Sequence, residues 1–252
     1  MSGHSKWASI KHKKGAVDAK RGKLFSKLIK EIQVAAKMGG GNPEGNPRLR
    51  KAVADAKGAQ MGNDTIQRAI KRGTGELEGT EYEEILYEGL GPGGTLFLVD
   101  VMTDNRNRTV AELRKVFERN NGSLGGGGSS LWAFDRKGII LLPKEGIEED
   151  QLMEVAVGAG AEDYSDEGDE WQVLTDVGDM EAVVAALEEA EIKVESSIAG
   201  YVPKNKKPLV GKDATRCLNL FDLLDDHDDC QHVFADFDIS DEEMSRIMAD
   251  SE

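Results

Sequence analysis

The order of predicted elements between residues 138 and 201 is the feature that most limits how this chain can fold. Apolar periodicity predicts a strand at 138–142, a helix at 148–160, strands at 161–165 and 170–175, a helix at 179–190 and a strand at 192–201. Both helices repeat apolar residues at helical spacing, so each has one face to bury. This βαββαβ order is that of a ferredoxin-like domain, which we therefore predict for residues 137–201.

The segments on either side of this module predict a second α/β domain that is discontinuous in sequence. Before the module, the pattern predicts strands at 82–89 and 95–102, a helix at 106–120 and a strand at 131–134. After it come a helix at 213–224 and a strand at 231–237, and one helix with one strand cannot bury a core alone. We therefore expect a middle domain made of residues 77–136 plus 202–240, with residues 241–252 as an acidic tail.

The N-terminal part of the chain predicts three short helices, at 23–38, 47–59 and 63–73. The second begins at Asn46 and Pro47, an N-cap residue followed by proline at the first helical position. Such short helices are marginal alone, so their apolar faces are expected to pack together. The predicted fold class is α+β, with an N-terminal three-helix basic domain at residues 1–76 followed by two α/β domains, at least one of them ferredoxin-like.

Charge is divided unevenly along the sequence. The whole chain has a net charge of −15, yet residues 1–73 hold 17 Lys and Arg against 5 Asp and Glu. A basic arm that leads into a helix with a cationic face is typical of a surface that binds nucleic acid; the alternative is a solvated, poorly ordered terminus. The predicted nucleic-acid-binding residues are Lys6, Trp7, Lys11, His12, Lys13, Lys14, Lys20, Arg21, Lys23, Lys27, Arg48, Arg50, Lys71, Arg72, Arg106 and Arg108.

Two groups within this set, and one segment outside it, allow more specific interpretations. Arg106 and Arg108 lie at a predicted helix N-terminus, where backbone N–H groups also attract anions, and form a second phosphate candidate. Trp7 either stacks on a base or anchors the arm to the helices.

Residues 145–191 contain 17 acidic side chains and no Lys or Arg. That segment is either a solvated face or a surface for a basic protein partner, and we expect it not to contact nucleic acid.

No motif predicts catalysis, a cofactor or a metal site. The run at 89–94 matches the letters G-x-G-x-x-G, but Pro92 and the strand that follows favour a hairpin turn over a dinucleotide site. The acidic run at 225–229 lacks the spacing and the glycine of a calcium loop, and Cys217 falls on an apolar helix face. We therefore expect a protein that is not an enzyme and takes no small-molecule substrate.

Membrane and compartment predictions follow from hydropathy and cysteine spacing. No apolar run approaches the roughly 20 residues that a membrane span needs. The two cysteines, Cys217 and Cys230, show neither zinc nor redox spacing. A reducing cytosol is the simplest compartment, so we expect a cytoplasmic protein without a membrane partner.

Several motifs resemble those of one family. They are the opening run at residues 2–37, NPRLR at 46–50, RAIKRG at 68–73, YEG at 87–89 with GPGG at 91–94, and TDNRNRT at 103–109. Together they resemble the YebC/PmpR family of transcriptional regulatory proteins, whose mitochondrial relatives are translational activators of cytochrome c oxidase. The chain departs from the family's usual Asn-Met-Pro at Gln60-Met61-Gly62, which blurs the start of the third helix.

The resemblance implies a helical N-terminal domain, two α/β domains and a non-enzymatic cytoplasmic regulator. The family is described in two ways, as DNA-binding transcriptional regulators and as ribosome-associated factors that assist translation. Both descriptions stay open at this point, because DNA and ribosomal RNA present phosphates to a basic surface in the same way.

Overall fold

The computed structural model describes the backbone of residues 17–249 and the side chains of residues 21–249. Within that part of the chain there are eight α-helices, two four-stranded antiparallel sheets and one short parallel strand pair. The fold is α+β, as predicted, with three helices followed by two sheet-containing domains. None of the helices in residues 17–249 is both long and apolar enough to span a bilayer.

The three N-terminal helices are α1 (Val17–Gly39), α2 (Pro47–Gly58) and α3 (Asn63–Gly73). They pack around Ile32, Leu49 and Ile66, which are fully buried. The predicted N-cap of α2 is confirmed, because the Asn46 side chain accepts the Leu49 N–H at 3.1 Å. The same side chain donates to the Ala35 carbonyl of α1 at 2.8 Å, so one buried amide ties two helices together.

The middle sheet has the order β3-β1-β2-β9. Its strands are β1 (Glu83–Leu90), β2 (Leu96–Thr103), β3 (Ser123–Leu124) and β9 (Cys230–Ala235), and its helices are α4 (Arg106–Arg119), α7 (Gly211–Asp225) and α8 (Asp241–Ala249). Side chains from all three helices share one core with Phe97 of β2, whose ring lies edge-on to that of Phe117 at 5.9 Å. Cys217 and Cys230 lie in this core, where burial raises the pKa of each thiol to about 12.

Two local predictions for this domain differ from the structure. Residues 131–133 form a 3₁₀ turn rather than a strand, and the third strand of the sheet is β3, inside the glycine-rich segment. β3 is only two residues long and lies between Gly122 and the glycines at 125–128, which are depleted in strands, so the sequence gave no strand signal there. Residues 241–249, expected within an acidic tail, form α8 and bury Met244 and Ile247 in the middle-domain core.

The second sheet has the order β5-β6-β4-β7, which confirms the ferredoxin-like prediction. Its elements are β4 (Phe134–Pro143), α5 (Glu149–Gly158), β5 (Ala161–Asp166), β6 (Glu170–Thr175), α6 (Met180–Glu189) and β7 (Ser196–Pro203). Phe134 and Pro203, the first and last residues of this unit, lie opposite each other in the sheet. The chain therefore enters and leaves the domain at one place. It then forms β8 (Lys207–Pro208), which pairs with β10 (Phe237–Asp238) in parallel.

Candidate nucleic-acid interface

Part of the predicted nucleic-acid surface lies outside the described residues. Lys6, Trp7, Lys11, His12, Lys13 and Lys14 precede residue 17, and Lys20 lies in α1 with its side chain outside the described set. Arg21 is the first predicted residue with a described side chain, and its guanidinium lies 5.3 Å from the centre of the Phe25 ring. The remaining cations divide into those that contact acidic groups of this chain and those that do not.

Three lysines of α1, Lys23, Lys27 and Lys30, face the middle domain. They contact residues 225–229, termed here the acidic loop, which leads from the end of α7 to β9. Lys23 lies 3.6 Å from the Asp226 carboxylate and donates to its carbonyl oxygen at 2.9 Å. Lys27 lies 3.4 Å from Asp225. Two of the predicted nucleic-acid-binding lysines therefore contact the protein's own carboxylates.

Asp229 is the buried centre of this contact. Its Oδ1 accepts from Lys30 Nζ at 2.8 Å, and its Oδ2 accepts from Thr109 Oγ1 at 2.6 Å and Arg108 Nη2 at 2.9 Å. Burial alone would raise the pKa of Asp229, but the hydrogen bonds from Lys30, Thr109 and Arg108 outweigh burial and hold that pKa well below its usual range. Asp229 therefore stays ionised and joins α1 to the first turn of α4.

The motif at residues 103–109 serves this contact. Thr103 donates to Asp229 at 3.2 Å, and the Asn105 side chain caps α4 by accepting the Arg108 N–H at 3.1 Å. Arg108 also pairs with Asp104 at 2.9 Å. The helix end predicted as a second phosphate site is thus capped by its own side chains, and Arg108 is paired, whereas Arg106 is exposed.

A group of possible metal ligands adjoins Asp229. Ligand atoms of Glu112, His227 and Asp229 lie within 4.8 Å of one another. His227 Nδ1 accepts the Asp229 N–H at 3.1 Å, so the neutral ring carries its proton on Nε2, which lies 3.1 Å from Glu112. Because Nε2 donates to Glu112 and both Asp229 oxygens accept hydrogen bonds, these contacts account for the group without a metal.

Arg48 and Arg50 also have acidic partners. Arg48 is half-buried between α1 and β1, with its guanidinium 2.7 Å from Glu31 and 2.5 Å from Glu84. The hydrogen bond to Glu31, followed by that to Glu84, raises the pKa of Arg48 against the effect of burial. Arg50 lies 3.2 Å from Glu181 of the ferredoxin-like domain, and both side chains are exposed. Arg48 therefore holds the helices against the middle domain.

The outer surface of α3 is different. Arg68, Lys71 and Arg72 lie three and four residues apart, so they share one side of the helix, termed here the basic α3 face. All three are exposed, and none takes part in an ion pair found among residues 21–249. The opposite side of α3 is buried through Ile66 and Ile70. This packing fixes the direction in which the basic α3 face points.

The predicted set omits two exposed cations of the N-terminal domain, Arg68 and Lys57. Arg68 lies on the same helix side as Lys71 and Arg72, and Lys57 is exposed in the last turn of α2. The signal for Arg68 was present in the sequence, because it precedes the two predicted residues by three and four positions. Basic residues are closer together in sequence in the N-terminal arm than in α3, so charge density favoured the arm.

The ferredoxin-like domain presents the opposite charge. Lys137, within β4, pairs with Glu162, and Lys144, directly after β4, pairs with Asp166. Burial, and then the carboxylates of neighbouring residues beginning with Glu195, raise the pKa of Glu170. Burial is thus the larger cause of the raised pKa, and the neighbouring carboxylates add to it.

Known proteins resemble this chain over almost its whole length. The profile of the TACO1/YebC protein N-terminal domain matches residues 5–76, and that of the TACO1/YebC second and third domain matches residues 82–237. A probable transcriptional regulatory protein of Geobacter sp. strain M21 is 54% identical over 248 residues, covering 98% of this chain and 100% of the relative. One from Geobacter sulfurreducens is 55% identical with the same coverage.

A solved structure has the same fold. It is the crystal structure of a conserved hypothetical protein, Aq1575, from Aquifex aeolicus, which is 42% identical in sequence. The two structures superpose with a TM-score of 0.85 over 90% of this chain and 93% of the other. Both the sequence profiles and the identity to the Geobacter proteins extend through all three domains, and the chain therefore belongs to the TACO1/YebC family.

Proposed function

We propose that this protein is a transcriptional regulatory protein that binds DNA through its N-terminal domain, with the basic α3 face forming part of the contact. The observation that supports this most strongly is the contrast between two helices of that domain. Lys23 and Lys27 of α1 contact the acidic loop, whereas Arg68, Lys71 and Arg72 are exposed together on one side of α3. The relatives' names, probable transcriptional regulatory proteins, support a regulatory role.

The expected interaction is with phosphates rather than with base edges. Lys and Arg side chains on a helix surface neutralise phosphates and release counterions, which gives affinity with little sequence preference. The two other domains add a strong negative charge, so they are expected to keep the DNA on the side of the helices. Regulation would then depend on where the acidic domains, through a basic protein partner, place this DNA-binding surface.

The test is a comparison of two variants with equal charge loss. Arg68→Gln, Lys71→Gln and Arg72→Gln together remove the basic α3 face, and Lys193→Gln, Lys212→Gln and Arg216→Gln remove three exposed cations from the other domains. Binding to a labelled duplex of about 20 base pairs, followed by fluorescence anisotropy, should weaken at least about tenfold for the first variant only. Equal affinities of the two variants would contradict the proposal.

A competition experiment separates DNA from RNA as the target. Unlabelled duplex DNA and a structured RNA hairpin of equal phosphate number are added to the preformed complex. We expect DNA to compete at least as well as the hairpin. A hairpin that competes more than about tenfold better would favour the ribosome-associated role that the resemblance also implies.

A further inference from the structure

One tryptophan is exposed in a position that the N-terminal surface does not explain. Trp132 is 67% exposed, in contrast to Trp171, which is 5% exposed in the core of the ferredoxin-like domain. It lies in the 3₁₀ turn at Leu131–Ala133, where the chain passes from the middle sheet into the ferredoxin-like domain. Its neighbour Leu131 is 38% exposed. A large apolar ring left in water beside a second apolar residue marks a contact surface.

The turn that holds Trp132 is fixed by a buried carboxylate. Glu88 of β1 accepts the backbone N–H groups of Gly128, Ser130 and Leu131 at 2.6, 2.5 and 2.8 Å. Burial would raise the pKa of Glu88, but these hydrogen bonds hold it below its usual range. The Trp132 indole N–H also donates to the Ser129 carbonyl at 3.1 Å. The ring is therefore held by one edge, and a ligand that stacks on it would lose little entropy in ordering it.

Lysines lie in the segment that passes the Trp132 turn. The segment that leaves the ferredoxin-like domain runs next to the turn, and the Lys204 N–H donates to the Ala133 carbonyl at 2.9 Å. Lys204 Nζ donates to the Trp132 carbonyl at 3.0 Å and lies 3.5 Å from Asp135. Lys206 is exposed. Residues 204–207 contain three of the 15 Lys and Arg that follow residue 73, so positive charge is concentrated here within an acidic part of the chain.

We propose that Trp132, Lys204 and Lys206 form a site for unpaired nucleotides of single-stranded DNA, with one base stacked on the indole and adjacent phosphates on the lysines. An aromatic ring for stacking, combined with cations for the backbone, is the arrangement by which proteins bind single strands without sequence preference. A protein partner fits these residues less well, because the cores of protein interfaces are depleted in lysine. The proposal rests on the proposed DNA-binding function and adds a second DNA-binding surface, at the junction of the other two domains.

The experiment uses the full-length protein and two DNA probes. One is a blunt duplex of about 20 base pairs, and the other is the same duplex with a 3′ extension of about eight thymidines, within the usual size of such sites. Wild-type protein should bind the extended probe more tightly. Trp132→Ala should reduce the affinity for the extended probe by about fivefold or more and leave the affinity for the blunt duplex unchanged. Trp132→Phe should retain most of the extra affinity that the extension gives.

The lysines and the indole give independent readouts. For the extended probe, Lys204→Gln and Lys206→Gln should each reduce the slope of log K against log salt concentration by about 0.7 in magnitude. Addition of the extended probe should quench tryptophan fluorescence in wild-type protein more than in Trp132→Phe, because a stacked base quenches the indole.

The outcomes separate the two proposals. Absence of binding to the blunt duplex would overturn duplex binding by the N-terminal domain, and binding of the extended probe that is lost in Trp132→Ala would still support the Trp132 site. Equal affinity for the two probes, or a Trp132→Ala variant that retains the full gain, would overturn the Trp132 site alone and leave that surface to a protein partner. A gain obtained only when the extension is made of uridine ribonucleotides would overturn the choice of single-stranded DNA.

Discussion

Replacement of Lys30 by Met tests the contact between α1 and the acidic loop. The side chains of Lys30 and Asp229 are 11% and 6% exposed, and their charged atoms are 2.8 Å apart. Methionine keeps most of the apolar stem that Lys30 buries but removes the ammonium group, which also lies 5.5 Å from the centre of the Tyr82 ring. The substitution therefore removes charge from the domain contact with little change in packing.

The expected loss in the free energy of unfolding lies between two limits. It is larger than for an exposed ion pair, and smaller than for a buried pair whose remaining charge has no partner. Breaking a buried ion pair costs about 3–5 kcal/mol when the remaining charge has no other partner. Asp229 would keep its hydrogen bonds from Arg108, Thr109 and Thr103. The loss is therefore at least about 1.5–3 kcal/mol, the value of the hydrogen bond between the two charged groups. Lys30→Met also removes the hydrogen bonds that Lys30 donates to the carbonyls of Asp228 and Met102.

Lys37→Met is the matched control, because Lys37 lies on the same helix and pairs with Glu81. Those side chains are 51% and 88% exposed at 3.3 Å, so the control should lose less than about 0.5 kcal/mol. Urea unfolding followed by far-UV circular dichroism measures both free energies of unfolding. A double-mutant cycle with Asp229→Asn should show a coupling of at least about 1 kcal/mol. Equal destabilisation by Lys30→Met and Lys37→Met would show that the Lys30–Asp229 pair does not stabilise the domain contact.

Three further predictions concern pH, a helix crossing and the glycine-rich loop. The stability difference between wild type and Asp229→Asn should be largest at neutral pH and shrink as the pH falls below about 4, because folded Asp229 has a lowered pKa and the unfolded chain takes up the proton first; a difference independent of pH contradicts this. Gly73→Ala should lower the free energy of unfolding in urea by about 1–3 kcal/mol, because the added Cβ would lie 2.8 Å from the Cβ of Ala36 in α1. Gly58→Ala, whose added Cβ would have nothing within 4 Å, should not lower it. Glu88→Gln should expose residues 122–131 to limited proteolysis, unlike Glu118→Gln on the surface of α4; equal cleavage of the two variants would show that Glu88 does not hold the loop.

Local patterns in the sequence were sufficient to predict most helices and strands. The Asn46–Pro47 start of α2 and the ferredoxin-like order both depend on residues close together in the chain, so periodicity and capping reveal them. The strand β3 and the helix α8 were not predicted, and the reasons are also local. A strand of two residues, Ser123 and Leu124, is too short to show side-chain alternation, and the acidic residues of α8 mask the helical spacing of Met244 and Ile247.

The contact between α1 and the acidic loop could not be predicted in the same way. Lys27 and Asp225 are 198 residues apart, and nothing near either residue indicates the other. In sequence, the run at 225–229 is typical of a solvated connection, and the α1 lysines are typical of a phosphate surface. Only the tertiary structure shows that these charges meet, and that the basic α3 face is exposed without an ion pair among the described residues.

The salt dependence of DNA binding by the α3 triple variant tests the role of the basic α3 face most directly. Affinity for the blunt duplex is measured over a range of salt concentrations for wild type, for Arg68→Gln/Lys71→Gln/Arg72→Gln and for the control triple variant. We expect the slope of log K against log salt to fall by about 2–3 in magnitude for the α3 variant alone, because each phosphate that a side chain neutralises adds about 0.9 to that slope. The same slope for all three proteins would contradict DNA binding through this face.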